Sequence, residues 1–190
     1  LFGGDGNDSL TGSGNDDLLD GGAGDDTLLG SYDIDTLIGG AGNDLISKRG
    51  SLPLTNSSVG YVSAGEGNDT IFFEAKRGWI DGGAGTDRLL LYGSGETTTV
   101  AADLSLGTVS VSGGNEIINI WSIEDIYVYS GSVRGSSAAD RVAAFLSLRA
   151  EGFGGNDTLV GGLGNDTLDG GDGDDLLDLA VFRSSGAGID

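Results

Sequence analysis

Apolar residues recur along this chain at a fixed interval. Leu10, Leu19, Leu28, Leu37 and Ile46 stand nine positions apart, with Gly, Asn or Asp in the intervals. Five phrases run on without a gap from Gly3: GGDGNDSLT, GSGNDDLLD, GGAGDDTLL, GSYDIDTLI and GGAGNDLIS. Phrases so rich in glycine do not make helices. The last three residues of each predict a short strand, with the eighth residue pointing inward and its neighbours outward. The glycines supply positive φ and close backbone approach, and Asn and Asp tolerate the same region and hydrogen-bond locally.

The frame pauses over 48–63 and resumes at Ala64 as AGEGNDTIF, FEAKRGWID and GGAGTDRLL. It returns at Gly135 as GSSAADRVA and closes with GFGGNDTLV, GGLGNDTLD and GGDGDDLLD. The chain therefore divides into repeat blocks at 1–47, 64–90 and 135–178, all within one elongated domain. Between them, 48–63 holds Lys48, Arg49 and the only Pro, and is expected to form a wider coil or surface loop. Residues 91–134 are rich in β-branched and aromatic residues that alternate like strands, so the sheet is expected to continue there as wide β-coils with longer turns and without calcium motifs. Trp121, Tyr127 and Tyr129 in this stretch are expected to pack in the core or on a sheet face rather than form a binding patch. The tail, 179–190, is expected to cap the array or to fray.

Composition adds a charge problem. The 190 residues carry 30 Asp plus Glu against 9 Lys plus Arg, a net charge of -21. Such a chain repels nucleic acid and anionic membrane and attracts cations. Cysteine and histidine are absent, which removes disulfides, thiolate metal sites and the commonest general base. No apolar run approaches the length of a membrane-spanning helix. The chain opens on Leu1 rather than Met and is expected to be a piece of a longer protein.

The sixth residue of each phrase gives the charge a location: Asp8, Asp17, Asp26, Asp35 and Asp44 in the first block. Stacked repeats would set these carboxylates above one another, where like charges repel. One inward apolar residue per nine is also a thin core against the backbone entropy of nine ordered residues. A hard divalent cation answers both difficulties. Calcium suits best, because it accepts six to eight oxygens in flexible geometry, whereas magnesium demands a near-ideal octahedron.

These phrases resemble the glycine- and aspartate-rich nonapeptide repeats of the RTX (hemolysin-type calcium-binding) family. The likeness covers somewhat over half of the chain. It implies an all-β fold, a right-handed parallel β-roll or β-helix solenoid in which two phrases make one coil. Several calcium ions would lie between loops two phrases apart, on the same side of the roll. In the family, the lower loop gives its second- and fourth-position carbonyls and its Asp, and the upper loop its first- and third-position carbonyls and its Asp. Carried over, Gly4, Gly6 and Asp8 meet Gly21, Ala23 and Asp26. Gly22, Gly24 and Asp26 meet Gly39, Ala41 and Asp44. On the opposite side, Ser13, Asn15 and Asp17 meet Gly30, Tyr32 and Asp35, a pair that departs from the pattern, and Asp16 competes with Asp17 for the sixth place. Gly65, Gly67 and Asp69 meet Gly82, Ala84 and Asp87, and Phe153, Gly155 and Asp157 meet Gly170, Asp172 and Asp175. Asp140 is counted one residue out of register beneath Asp157. Asp166 is a ligand by motif, but two phrases before it stands Leu148 and two phrases after it Ser184. With no aspartate to share an ion, its site is expected to be weak or empty.

The resemblance implies a non-catalytic calcium-binding roll of a type I-secreted or cell-surface bacterial protein, as in adhesins and surface layers, folding on calcium after export. Acid is expected to mimic chelation, because protonated aspartates cannot hold the ion. Other copies or domains of the same surface protein are the further partners. Two alternatives remain open: an export and folding segment of a secreted toxin, protease or lipase, and a β-helical enzyme acting on acidic polysaccharide. Against the latter, Lys48, Lys76 and the arginines form no visible constellation with a carboxylate.

Overall fold

Each nine-residue phrase delivers one strand, and successive phrases deliver it to opposite sheets. The computed structural model describes residues 1–31, 33–48, 59–74, 77–91, 99–111 and 117–179. Tyr32, Arg49, Lys76, the bulk of the 48–63 stretch and 180–190 lie outside these. The first block forms β1 (Phe2–Asp5), β2 (Ser9–Thr11), β3 (Leu18–Ala23), β4 (Thr27–Leu29), β5 (Asp35–Ala41) and β6 (Leu45–Lys48). Next come β7 (Val59–Glu66), β8 (Thr70–Phe73), β9 (Arg77–Ala84), β10 (Arg88–Leu91), β11 (Val100–Asp103), β12 (Thr108–Val111) and β13 (Ile117–Trp121). The chain continues through β14 (Asp125–Val128), β15 (Gly131–Arg134), β16 (Arg141–Ala144), β17 (Leu148–Glu151), β18 (Thr158–Val160), β19 (Thr167–Asp169) and β20 (Leu176–Asp178).

One sheet has the order β1-β3-β5-β7-β9-β13-β12-β11-β15-β17-β19, and the other β2-β4-β6-β8-β10-β14-β16-β18-β20. Strands pair in parallel with the strand one coil away: Phe2 sits against Asp20 and Ser9 against Thr27. This is the all-β solenoid of the β-roll kind that the repeats imply. The inward residues stack in two columns. In the second sheet Leu10, Leu28, Ile46, Ile71, Leu89, Ile126, Val142, Leu159 and Leu177 are register partners in sequence. Leu19, Leu37, Val62, Ile80 and Ile120 face them from the first. All the middle members of both columns are buried, while Leu177 at the open end is 47% exposed.

The interruption at 91–134 differs from the expected wide coils. From β10 the chain joins the first sheet at β11, three strands beyond β9, and then returns antiparallel through β12 before β13 settles beside β9. The reason is a hairpin turn. Asp103 Oδ1 accepts the Leu106 N–H at 3.0 Å, the Gly107 N–H reaches the Leu104 carbonyl, and Gly107 takes a φ of 63°. An Asx-closed turn ending in a left-handed glycine reverses the chain, which parallel coils never require. Two further boundaries shift: Lys48 ends a strand rather than opening a loop, and strand β7 begins at Val59.

The columns predict a gradient of sensitivity. Leu28→Ala and Ile71→Ala should each cost about 2–5 kcal/mol, as full burial implies. Leu177→Ala should cost less than about 1 kcal/mol, closer to a surface substitution. Urea unfolding in excess calcium measures all three.

Candidate metal centre

Two rows of loops flank the sheets. The first row passes from the long sheet to the short one and holds the turns ending at Asp8, Asp26, Asp44, Asp69 and Asp87. A column of second-position glycines lies in it, Gly4, Gly22, Gly40, Gly65 and Gly83, each register partner to the next. Gly22 shows why: its φ is 108°, and a Cβ there would collide with the Gly4 carbonyl oxygen. First-position glycines answer a different need, since a Cβ on Gly21 would fill the space held by Asp26 Oδ2.

The sixth-position aspartates join coil to coil. The Asp8 N–H donates to Asp26 Oδ1 at 2.7 Å, Asp26 to Asp44 at 2.8 Å, Asp44 to Asp69 at 2.7 Å and Asp69 to Asp87 at 2.9 Å. The row runs on through the Asp87 N–H to Glu124 Oε2 at 2.9 Å, and later from Asp140 to Asp157 and from Asp157 to Asp175. Fifth-position side chains bond in the reverse sense. The Asp25 N–H donates to Asn7 Oδ1, Asn43 to Asp25, Asn68 to Asn43 and Thr86 to Asn68. The expected local hydrogen bonding of Asn and Asp is thus directed to the neighbouring coil instead.

From Asp26 to Asp87 the ladder consumes one oxygen of each of these aspartates, and the other is stranded, while Asp8 opens the ladder as a donor only. Oδ2 of Asp8, Asp26, Asp44, Asp69, Asp87 and Asp157 is buried with no hydrogen-bond partner. Buried acceptors are almost always satisfied, and a buried charge demands a counter-charge. Burial raises the carboxyls of Asp44, Asp87 and Asp140, and pushes Asp69 up to about 6 against the restraining Asp44 N–H, with Asp87 and Asp44 adding repulsion. Among the described residues no three carboxylates converge. A cation here would draw its remaining oxygens from the main chain, a donor set of hard oxygens that fits calcium.

The Gly6 N–H meets the Ala23 carbonyl at 2.7 Å, Gly24 meets Ala41 at 2.7 Å, Gly67 meets Ala84 at 2.8 Å and Gly155 meets Asp172 at 3.0 Å. Gly39, Gly82 and Gly170 each leave room for Oδ2 of Asp44, Asp87 and Asp175 respectively. Phe153 holds the turn with a φ of 76°. Asp140 stands in register after all, because the coil from β15 to β17 is one residue short and so restores the ladder. Its Oδ2, however, accepts the Ser136 N–H at 2.6 Å and the Ser136 hydroxyl at 3.0 Å.

The second row of loops is built differently. Asp17, not Asp16, takes the sixth-position role: its N–H donates to Asp35 Oδ1 at 3.0 Å, while Asp16 is exposed and accepts the Ile34 N–H. Asp17 Oδ2 accepts the Ser13 N–H, and the Asn15 N–H goes to Asp33 rather than to a carbonyl. Gly30 accommodates Asp35 as the other first-position glycines do. Asp166 makes the sixth-position bond, accepting the Leu148 N–H at 2.8 Å, with no carboxylate beneath it. Two residues escaped the sequence reading. Glu124 continues the first row, and its signal was a carboxylate two residues before the inward Ile126 in EDIYV. Lys48 is 1% exposed and pairs with Asp35.

The family model of the RTX calcium-binding nonapeptide repeat matches the chain in four copies, over residues 1–28, 29–47, 61–75 and 151–180. No curated protein matches it. Asp87, Glu124 and Asp140 lie outside the matched residues, yet share the ladder with those inside.

The raised carboxyls set the sign of a pH effect in the metal-free protein. A carboxyl lifted from 3.8 to about 6 favours the fold below 3.8 and withdraws that support as pH rises through about 6. Acid is therefore expected to act in two ways: it would displace a bound cation, as chelation does, and it would also neutralise the same stranded oxygens. Circular dichroism of decalcified protein should show more β-structure at pH 4 than at pH 7.

Proposed function

We propose that this chain, which carries RTX calcium-binding nonapeptide repeats, is a non-catalytic segment of a larger secreted or cell-surface bacterial protein, in which calcium binding drives folding. The observation that carries the reading is the row of stranded Oδ2 atoms from Asp8 to Asp87 and at Asp157. Ions along this row would be held by the sixth-position carboxylates and by carbonyls of the glycine turns above and below. What calcium supplies is positive charge and a flexible shell of six to eight oxygen contacts. The chain's own residues do the rest: Oδ1 fixes the register, glycine keeps the space clear, and the inward Leu and Ile columns close behind.

At low calcium, a net charge of -21 opposes collapse around so thin a core. An unfolded acidic chain suits export, and calcium outside the cell then converts binding free energy into folding free energy. Other copies or domains of the same surface protein are the partners this reading assigns to the folded roll.

Circular dichroism across a calcium titration tests the reading. The β signal should be weak in excess chelator, rise cooperatively with calcium, and respond poorly to magnesium; a strong signal in chelator that calcium leaves unchanged would sink it. Asp26→Asn and Asp69→Asn should each raise the calcium midpoint by about tenfold, the low end of losses at disturbed metal sites. Asp169→Asn, on an exposed strand position, should leave the midpoint in place.

A further inference from the structure

Lys48 stands one regular coil beyond Gly30, which itself stands one coil beyond Gly12, so it occupies the first position of what would be the next loop in the second row. Its side chain does not reach solvent: it is 1% exposed, among the largest fully buried side chains of the described residues, and it ends the strand β6. The stem lies beneath Gly60, where a Cβ would approach Lys48 Cγ to 2.9 Å. The ammonium donates to the Ser31 carbonyl at 2.9 Å and forms an ion pair with Asp35 Oδ2 at 3.0 Å. Ser31 is the second residue of its loop and Asp35 the sixth. These are the two kinds of oxygen that a cation above this loop would take; Asp35 Oδ2 is buried without a hydrogen bond like the oxygens stranded in the first row, and differs from them in having the ammonium beside it.

We propose that the Lys48 ammonium is a tethered cation that fills the metal position above the loop 30–35, so that this position takes no calcium and this turn is neutralised by the chain itself. The inference rests on the calcium reading of the first row. It also goes beyond it, because a repeat-like loop is silenced by a residue in the following coil. The mechanism is charge substitution. A buried carboxylate needs a positive partner, and a partner on the chain is present at any calcium concentration. Removing the ammonium leaves the Asp35 carboxylate facing the Ser31 carbonyl, which is a vacant pair of hard oxygens.

The linkage slope of folding stability against calcium concentration counts the ions bound on folding. Urea unfolding across calcium concentrations should be measured for the wild type, for Lys48→Met and for the double variant Lys48→Met with Asp35→Asn. The slope of Lys48→Met should exceed that of the wild type by one ion, and the double variant should return to the wild-type slope. At low calcium Lys48→Met should be the least stable of the three. An unchanged slope in Lys48→Met overturns the proposal, whatever stability is lost. Should that variant not fold, Lys48→Gly, which restores the residue of Gly12 and Gly30, carries the same comparison. Failure of both to fold at any calcium concentration also overturns it, since a vacated cation position must be refillable. A wild-type slope of zero speaks against the first-row reading. A positive wild-type slope with no gain in the variant speaks against the tethered cation alone.

Discussion

The bond from one coil's sixth-position N–H to the next coil's carboxylate governs the rest of this molecule. Bonds of that kind, to a charged acceptor, are worth about 1.5–3 kcal/mol each. They fix the register of every coil in the first row, from Asp8 to Glu124 and again from Asp140 to Asp175. The same bond creates the difficulty that a metal would resolve. Holding Oδ1 against the coil beneath turns Oδ2 into the glycine turn, where it has no donor. Adhesion and repulsion between coils thus come from two oxygens of one carboxylate. A donor or a counter-charge placed at Oδ2 lets a long stack keep the first without the second.

That constraint also decides where irregularity is put. Successive ladder residues are separated by 18 residues in regular coils, but by 25 from Asp44 to Asp69, 37 from Asp87 to Glu124 and 17 from Asp140 to Asp157. The ladder bond survives all three departures at 2.7 to 2.9 Å. Extra length leaves the row elsewhere: after Lys48 between β6 and β7, or as the antiparallel pair β11 and β12 inserted in the longer sheet. Short length is absorbed at the turn between β16 and β17. The first sheet gains two strands over the second for this reason, and the row of carboxylates continues past the detour.

Period and position were legible because each states a local rule. Leu at the eighth place and Asp at the sixth can be read phrase by phrase, and they placed both inward columns and the facing loops of Asp8, Asp26 and Asp44. What escaped depends on contacts between distant coils. The return of β12 follows from the turn at Asp103 and Gly107, whose signal sits in a stretch without repeats. Glu124 hides behind a long detour and a change of acid. Asp140 looked misplaced because counting assumes equal coils. Lys48 was read as loop because a lysine beside Arg49 and Pro53 suggests solvent, and nothing local announces that Gly60 opens a space for its stem.

Sixth-position aspartates make the same bond in both rows, and the turns differ in what meets the second oxygen. In the second row Asp17 finds the Ser13 N–H and Asp35 finds the Lys48 ammonium. In the first row Asp140 finds Ser136, but Asp8, Asp26, Asp44, Asp69, Asp87 and Asp157 find nothing. A sixth-position carboxylate, aspartate or at Glu124 glutamate, makes the ladder but does not by itself make a cation site. Backbone conformation at the second position matters as much. Ser13 and Ser136 there donate to Asp17 and Asp140, whereas Ser31, which has a positive φ like the glycines of the Gly4 to Gly83 column, leaves Asp35 Oδ2 without a hydrogen bond. Under the proposed calcium reading, demand for a cation becomes a property of individual turns, set by whether the chain brings its own donor or charge to Oδ2. Such a roll would tune that demand one loop at a time without disturbing the register that holds it together.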